Sequence, residues 1–591
     1  MATLLELCTC RKSKEALIKL KYMPKLGLRQ LFQVDSEGNT ALICACSNGM
    51  TEVAVEILKH LCRCKPDHVN KEGNTALILA CKNNMSKVVL ELLKYSNKCK
   101  IDHVSDEGNT ALICACSNGM TEVVLELLKY PDKCKINHVN DEGNTALILA
   151  CSKGMGTVVS KLLEHLDKYK TDHINKEGNT ALILACGNRM SEAVLELLKY
   201  PEKCKIDHVD KGGNTALILA CKNNMSKVAF ELLKHPDKCK IDHVSDEGNT
   251  ALILACENRM TKVVLELLKH PYKCEIDHVP INNNTVLMTA CGEWMEKVAL
   301  ELLKYPDKCK IDHVNEDGLT ALLFACDLRM EKVALELLKH PGKCRLDSIE
   351  IVAHNTALTL SCRHGMQTIA LEILKHPDMC KLDHVNKRGY TALILACEKG
   401  MEKVALELLK HPDMCKQDHV NKDGYTALIL ACDKGMEKVA LELVKHPDMC
   451  KLDHMYRGNT AFSLAYRNNM TDVAKLICIH IDFIATLKLT QLQTYCFEQY
   501  INKILTEKIN QLPNSEEIKK QRAELNNLKD TIKNMARDDT CVICFDNTHN
   551  NAVFIKCKHI LHICNECIQI TANKCPVCAV PTEIITGCYA I

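Results

Sequence analysis

The sequence has little of what nucleic-acid-binding and membrane-surface proteins depend on. Aromatic residues make up only 4% of its 591 residues, and there is a single tryptophan. Basic and acidic residues nearly cancel, at 76 and 74. Proteins that bind nucleic acid or anionic lipid normally carry an excess of one sign, and base-stacking surfaces need aromatic rings. The composition therefore argues against both nucleic-acid binding and membrane association.

Long apolar runs and a secretory signal are also missing. The best candidate for a membrane span, residues 476–481, is interrupted by His480 and followed by Asp482, whereas a membrane helix needs roughly 18 or more apolar residues. Residues 1–20 mix leucine with charged side chains, so they are more typical of a helix than of a signal peptide. We therefore expect an intracellular, cytoplasmic protein whose thiols stay reduced.

Cysteine, by contrast, is abundant, with 38 residues. Thirty of them precede residue 541, and most of these recur at two fixed positions of a repeated segment. A reduced cysteine at such a position packs as a small apolar side chain. The other eight lie between Cys541 and Cys588, where the spacing between them carries the information.

The repeated segment begins with Gly-Asn-Thr-Ala-Leu at Gly38 and occurs thirteen times with small changes. The step is 35 residues, except for one of 36 into His354 and one of 34 into Gly458. The threonine is placed to cap a first helix, and a second helix carries apolar residues at helical spacing. The position between the helices is mostly Gly or Asn, which predicts a left-handed turn. Segments of this kind bury their apolar faces by stacking on one another, as in a solenoid.

These segments resemble the ankyrin repeat over residues 38–483. Thr-Ala-Leu-Ile-Leu-Ala stands where the family has Thr-Pro-Leu-His-x-Ala, and Gly-Met stands where it has Gly-His. The near-identical, cysteine-rich repeats are also similar to ankyrin proteins of giant amoeba viruses, which would place the protein in the host cytoplasm. The resemblance implies an all-α ankyrin solenoid of 13 repeats that binds a protein, with residues 1–37 as an N-terminal helical cap.

Two features of the repeats have alternative interpretations. Ten repeats contain Cys-x3-His, such as Cys99 with His103, and these pairs are conceivable as a ladder of metal ligands. Since each repeat offers only two ligands, we expect instead that the cysteine lies in the core and the histidine in the hairpin. Trp294 occupies a turn position. It is either an exposed interface anchor or, as we expect, a substitution whose ring lies on a neighbouring repeat.

A different pattern lies near the C-terminus. Two residues between cysteines let both thiolates reach one ion, and tetrahedral zinc takes four nitrogen or sulfur ligands. Eight ligands predict two closed, structural zinc sites built from Cys541, Cys544, Cys557, His559, Cys564, Cys567, Cys575 and Cys578. His562 competes with Cys564 as the fifth ligand. We prefer Cys564 because it forms a Cys-x2-Cys pair with Cys567.

The order of these pairs resembles the RING finger, by which many ubiquitin ligases hold a ubiquitin-conjugating enzyme. The resemblance implies a small α+β domain over residues 538–581 with interleaved zinc sites. Cys541, Cys544, Cys564 and Cys567 would share one ion, and the other four ligands the second. It also implies that Ile543, Ile570 (or Thr571) and Pro576 contact the conjugating enzyme. Ala579 stands where active members commonly have Arg or Lys, which leaves the strength of ligase activity open.

The remaining segments suggest a connector and a dimer. Residues 484–537 are predicted to be a helical connector, with a short coiled-coil stripe at Ile518, Leu525 and Ile532. Residues 582–591 resemble tails that pair RING domains, so a homodimer is favoured. The sequence thus predicts a ubiquitin ligase without a catalytic nucleophile of its own. The alternatives are a non-enzymatic scaffold with a dimerising zinc domain, and a metal-storing array.

Overall fold

In the computed structural model of this protein, the residues described are 2–22, 27–60, 64–164, 171–446, 450–452 and 454–479. The chain divides into two compact units between Lys310 and Ile311. Within the described ranges the structure is helical, with 28 α-helices and one two-stranded hairpin. Among these residues, none of the helices combines the length and the apolar character that crossing a bilayer requires.

The first compact unit contains an initial helix pair and eight further pairs. The initial pair is α1 (Leu4–Thr9) and α2 (Ser13–Lys21), followed by a 3-10 helix over Gly27–Phe32. The further pairs belong to repeats one to eight and are α3 (Ala41–Ser47) with α4 (Thr51–Leu58), α5 (Ala76–Lys82) with α6 (Ser86–Leu93), α7 (Ala111–Ser117) with α8 (Thr121–Leu127), α9 (Ala146–Ser152) with α10 (Gly156–Leu163), α11 (Ala181–Gly187) with α12 (Ser191–Leu197), α13 (Ala216–Lys222) with α14 (Ser226–Leu233), α15 (Ala251–Glu257) with α16 (Thr261–Leu267), and α17 (Val286–Gly292) with α18 (Glu296–Leu302).

The second compact unit contains the helix pairs of repeats nine to thirteen. They are α19 (Ala321–Asp327) with α20 (Glu331–Leu338), α21 (Ala357–Arg363) with α22 (Gln367–Ile373), α23 (Ala392–Glu398) with α24 (Glu402–Leu409), α25 (Ala427–Asp433) with α26 (Glu437–Val444), and α27 (Ala461–Arg467) with α28 (Thr471–Ile479). Three 3-10 helices cover Pro341–Lys343, Pro377–Met379 and Pro412–Met414. Strands β1 (Met455–Tyr456) and β2 (Asn459–Thr460) pair antiparallel.

A threonine side chain starts the first helix of every repeat, as the sequence predicts. In repeat two, Thr75 has an extended backbone, and its Oγ1 accepts a hydrogen bond from the backbone N–H of Ile78 at 3.2 Å. The helix begins at the next residue, Ala76. This bond satisfies one of the N–H groups that an α-helix otherwise leaves without an intrahelical partner.

The predicted left-handed turn is present in all thirteen repeats. Its φ lies between 53° and 72° at Gly49, Asn84, Gly119, Gly154, Arg189, Asn224, Arg259, Trp294, Arg329, Gly365, Gly400, Gly435 and Asn469. In repeat two, Asn84 N donates to Cys81 O at 3.2 Å and Met85 N donates to Ala80 O at 2.8 Å. These two bonds form a Schellman motif, in which a left-handed residue closes the end of a helix. The turn thus sends the chain back along the first helix.

Neighbouring repeats are joined by packing of first helix on first helix and of second helix on second helix. They are also joined by an asparagine side chain that follows the first helix. Within the first compact unit, α5 packs on α7 and α6 packs on α8. The Asn83 side chain donates to the carbonyl oxygens of Cys46 and Ser47, at 2.9 and 3.1 Å, at the end of the preceding first helix. The helices α1 and α2 pack on α3 and α4 in the same way, and Asn48 Nδ2 donates to Cys8 O at 2.9 Å.

Candidate protein-docking surface

The residues predicted to bind zinc and the conjugating enzyme lie outside the described residues. This applies to the predicted connector and tail and to Cys541, Ile543, Cys544, Cys557, His559, His562, Cys564, Cys567, Ile570, Thr571, Cys575, Pro576 and Cys578. Across the described ranges, which end at residue 479, no group of three or more metal-binding side chains occurs. The described site candidates are therefore on the repeats themselves.

The Cys-x3-His pairs have the placement expected for structural residues. Cys99 is buried, and its Sγ donates to Leu92 O at 3.4 Å. Burial is the main cause that raises the pKa of the Cys99 thiol to about 12, so it is a neutral thiol and a poor nucleophile at physiological pH. His103 lies in the hairpin, with Nε2 2.8 Å from Gly73 O in the preceding step of the array.

The same histidine contact recurs along each compact unit. Histidine Nε2 lies 2.7–2.9 Å from a carbonyl oxygen of the residue thirty positions earlier at His68, His103, His138, His173, His208, His243, His278, His419 and His454. These histidines therefore connect each hairpin to the previous one. The placement predicted for the cysteine in the core and the histidine in the hairpin is confirmed.

Trp294 is placed differently from our expectation. It occupies the left-handed turn of repeat eight with a φ of 60°. Its side chain is exposed, at 63% of the full value, so the prediction that the ring lies on a neighbouring repeat is wrong. Next to it, Glu293 accepts from Arg259 Nε of the preceding repeat at 2.7 Å. The exposed residue thus directly follows a member of a charged pair in the sequence.

Two positions of a repeat lie close to each other on its surface, and we call them the helix-end position and the tip position. The helix-end position is the last residue of a first helix, and the tip position is the residue directly before the next repeat. In repeat two they are Lys82 and Glu107, which form an ion pair at 2.9 Å. In repeat six they are Lys222 and Glu247, which pair at 2.8 Å. The fold therefore brings these two positions together although 25 residues separate them in the sequence.

A cavity of about 250 Å³ opens on this face between repeats ten and eleven. Its lining includes the helix-end Arg363 and the tip residue Arg388, together with Tyr390, Glu398 and Lys399. Beside it lies the one insertion in the array, the 36-residue step into His354. That insertion places the apolar side chains of Ile351 and Val352 in solvent, at 55% and 72% exposure. The pocket thus combines charged side chains with an aromatic ring, and the two exposed apolar residues directly precede its lining residue Ala353 in the sequence.

Tyrosines distinguish this part of the second compact unit from the other repeats. Tyr390 and Tyr425 stand where most repeats have Asn. Tyr390 donates to Asp423 Oδ2 at 2.7 Å, and burial together with this bond raises the pKa of the Tyr390 hydroxyl. The Tyr425 and Tyr456 rings lie 3.9 Å apart between centroids. The substitution was visible in the sequence as Gly-Tyr-Thr, but its significance depends on the neighbours that the fold supplies.

One buried amide shows what the tyrosine changes. In repeat two, Asn70 Nδ2 donates to Asn39 Oδ1 at 2.9 Å. Asn421 is the equivalent of Asn70 and is 4% exposed, but its Nδ2 has no hydrogen-bond partner in the structure. Tyr390 occupies the position of Asn39 and offers no amide oxygen. The tyrosine therefore replaces an internal hydrogen bond by an aromatic surface at the pocket.

Comparison with known families gives two matches. A family model described as "Zinc finger, C3HC4 type (RING finger)" matches residues 537–585. A model described as "Ankyrin repeats (3 copies)" matches six spans that together cover more than half of the chain, at residues 53–140, 95–172, 132–210, 194–280, 343–418 and 413–486. No curated protein matches the chain.

Proposed function

Because the chain belongs to the ankyrin-repeat proteins and carries a C-terminal RING finger, we propose that it is a RING-type ubiquitin ligase whose array recruits a protein substrate. The observation that carries the proposal is the RING match at residues 537–585 in the same chain as an array of protein-binding repeats. A protein-binding array and a RING finger together supply the two halves of such a ligase. The array would select the substrate, and the RING finger the conjugating enzyme.

A RING finger binds zinc, and the predicted donors here suit that metal. The set of seven cysteines and one histidine provides only sulfur and nitrogen ligands, which zinc prefers. We propose that these eight residues hold two ions in closed sites. Zinc with four protein ligands leaves no position for a reacting water, so its role would be to fix the fold of the domain. Ile543, Ile570 and Pro576 are the proposed contacts for the conjugating enzyme.

The proposed mechanism places no covalent intermediate on this chain. The substrate lysine attacks the thioester between ubiquitin and the conjugating enzyme, so that an isopeptide bond forms and the enzyme's cysteine thiol leaves. The chain contributes by holding both reactants, which converts a bimolecular encounter into an effectively intramolecular one. The expected rate enhancement therefore depends on simultaneous binding to the array and to the RING finger.

A second candidate function is a scaffold whose zinc domain only dimerises. Ala579 favours it, since active members of the RING family commonly have a basic residue at that position. In this case the array would occupy its partner without marking it. Three further proposals fit either function. They are a homodimer formed through the connector and tail, a cytoplasmic location, and kinship with giant-virus ankyrin proteins.

The two functions are separated by a ubiquitination assay on the full chain. The zinc-loaded protein is incubated with ubiquitin-activating enzyme, ubiquitin, ATP and a panel of conjugating enzymes. We expect ubiquitin chains with at least one conjugating enzyme. A folded, metal-loaded protein that forms no chains with any of them would instead be the scaffold.

A further inference from the structure

Two guanidinium groups line one pocket in the second compact unit. Arg363 is the last residue of α21, and Arg388 is the tip residue before Gly389. Both line the cavity of about 250 Å³ between repeats ten and eleven, which we name the Arg363–Arg388 pocket. Lys399 lines it as a third cation, and Glu398 contributes one carboxylate. At neutral pH the lining therefore carries an excess of positive charge.

The repeat register shows that this arrangement is unusual for the array. Arg363 and Arg388 are the helix-end and tip residues of repeat ten, 25 positions apart like Lys82 and Glu107. Where repeats two and six have an ion pair at these positions, repeat ten has two positive charges. Like charges at facing positions repel, and the repulsion falls when an anion lies between them. Repeat ten thus has two guanidinium groups where repeats two and six have an internal ion pair.

Two carboxylates lie close to the arginines without pairing with them: Glu398 lines the same pocket, and Asp423 accepts a hydrogen bond from the lining residue Tyr390. None of Arg363, Arg388 and Lys399 forms an ion pair with an acidic side chain among the residues described in the second compact unit. By contrast, Arg467, the helix-end residue of repeat thirteen, pairs with Asp433 at 3.0 Å. The pocket therefore keeps its positive charge available to a partner.

We propose that the Arg363–Arg388 pocket binds an aspartate or glutamate side chain of an extended, acidic segment in the protein that the array recruits. Arginine forms paired, charge-assisted hydrogen bonds with a carboxylate, which makes it well suited to this recognition. The cavity is of side-chain size, so one residue enters while the rest of the segment lies across the rim. Tyr390, Ala353 and Leu395 of the lining supply apolar contact there. This inference rests on the proposed function for the partner's role as substrate.

The test measures binding to the full-length protein by fluorescence anisotropy at low ionic strength. The probe is a short fluorescein-labelled peptide of alternating Glu and Gly, compared with the same peptide carrying Gln in place of Glu. We expect binding of the Glu peptide only. Arg388→Glu should weaken it by at least about tenfold, since the charge that attracts the carboxylate is reversed.

Two controls separate the pocket from general charge and from misfolding. Lys82→Gln removes a cation from repeat two at the helix-end position, the equivalent of Arg363, where it is already paired, and it should leave peptide affinity unchanged. Arg388→Glu recreates the Lys82–Glu107 arrangement with Arg363, so its melting temperature should equal or exceed that of the wild type. Equal affinity of the wild type for the Glu and Gln peptides, or equal affinity of the wild type and Arg388→Glu for the Glu peptide, would overturn the proposal.

The outcome is independent of ligase activity. Peptide binding is measured without ubiquitin or any conjugating enzyme, so an inactive RING finger cannot produce a negative result. If the peptide fails to bind while the wild-type chain still forms ubiquitin chains, the pocket proposal is wrong and the ligase proposal stands. If the peptide binds to a protein that forms no chains, the acidic partner is held by a scaffold.

Discussion

His103 Nε2 lies 2.8 Å from the carbonyl oxygen of Gly73, thirty residues earlier in the chain. A carbonyl only accepts hydrogen bonds, so Nε2 must donate, which fixes the tautomer of the neutral ring. The residue that suggests a metal ligand in the sequence is thus a link between consecutive hairpins. Its contribution should appear as stability of the array.

We therefore expect His103→Ala to destabilise the first compact unit by about 1 kcal/mol, because one partly buried hydrogen bond is lost. The measurement is urea unfolding followed by circular dichroism. His60→Ala, which removes a histidine at the end of a second helix, is the matched control and should change stability less. Equal effects of the two substitutions would show that the hairpin contact is not stabilising.

The buried thiols predict a loss of stability at alkaline pH. Burial raises the pKa of both Cys99 and Cys134 to about 12 from the ordinary 9.0. Above pH 9 the unfolded state therefore binds fewer protons than the folded state, and stability falls as pH rises from about 9 towards 12. Each thiol should contribute up to about 1.4 kcal/mol for each pH unit in that range.

This loss is measured as melting temperature against pH for the wild type and for a variant carrying Cys99→Ala and Cys134→Ala. The variant should be less stable at pH 7, because small cavities form, but its stability should fall less steeply above pH 9. Parallel curves for the two proteins would contradict the attribution to these thiols, since all other ionisable groups are shared.

The zinc content of two variants distinguishes Cys564 from His562 as the fifth zinc ligand. The full chain should hold two zinc ions. Cys564→Ala should lose one of them, whereas His562→Ala should leave both, because Cys564 completes the Cys-x2-Cys pair. Structural zinc contributes about 10–16 kcal/mol in small zinc fingers, so a lost ion should also unfold the domain. Zinc is quantified by mass spectrometry, and one ion lost in His562→Ala would reverse the assignment.

Ile543→Ala tests the ligase proposal without touching a ligand. The residue lies between two predicted zinc ligands, so zinc content should be unchanged. Loss of an interface contact should weaken conjugating-enzyme binding by on the order of 1–2 kcal/mol, or about tenfold. Chain formation should fall accordingly, and Ala579→Arg should increase it. Chain formation unaffected by Ile543→Ala would remove this residue from the proposed contact.

The periodic parts of the structure were predictable because each repeat has the same helix-capping and turn positions. Thr75 caps a helix. The left-handed turn at Arg189 was predictable because most other repeats have Gly or Asn at that position. The Arg363–Arg388 pocket was not predictable in the same way. It follows from the contact between helix-end and tip positions, which only the fold reveals. The exposure of Trp294 also depends on packing, and the zinc ligands remain predictions.

The solvent-exposed position of Trp294 determines what the intrinsic fluorescence of this protein can report. It is the only tryptophan in the chain, so all indole emission arises from one turn in repeat eight. An indole that is 63% exposed when folded already emits from a largely aqueous environment, and unfolding should shift its spectrum little. Iodide should quench it readily, and a protein that covers this turn should protect it. Trp294 fluorescence therefore reports on local contacts at this turn and is a poor probe of global unfolding.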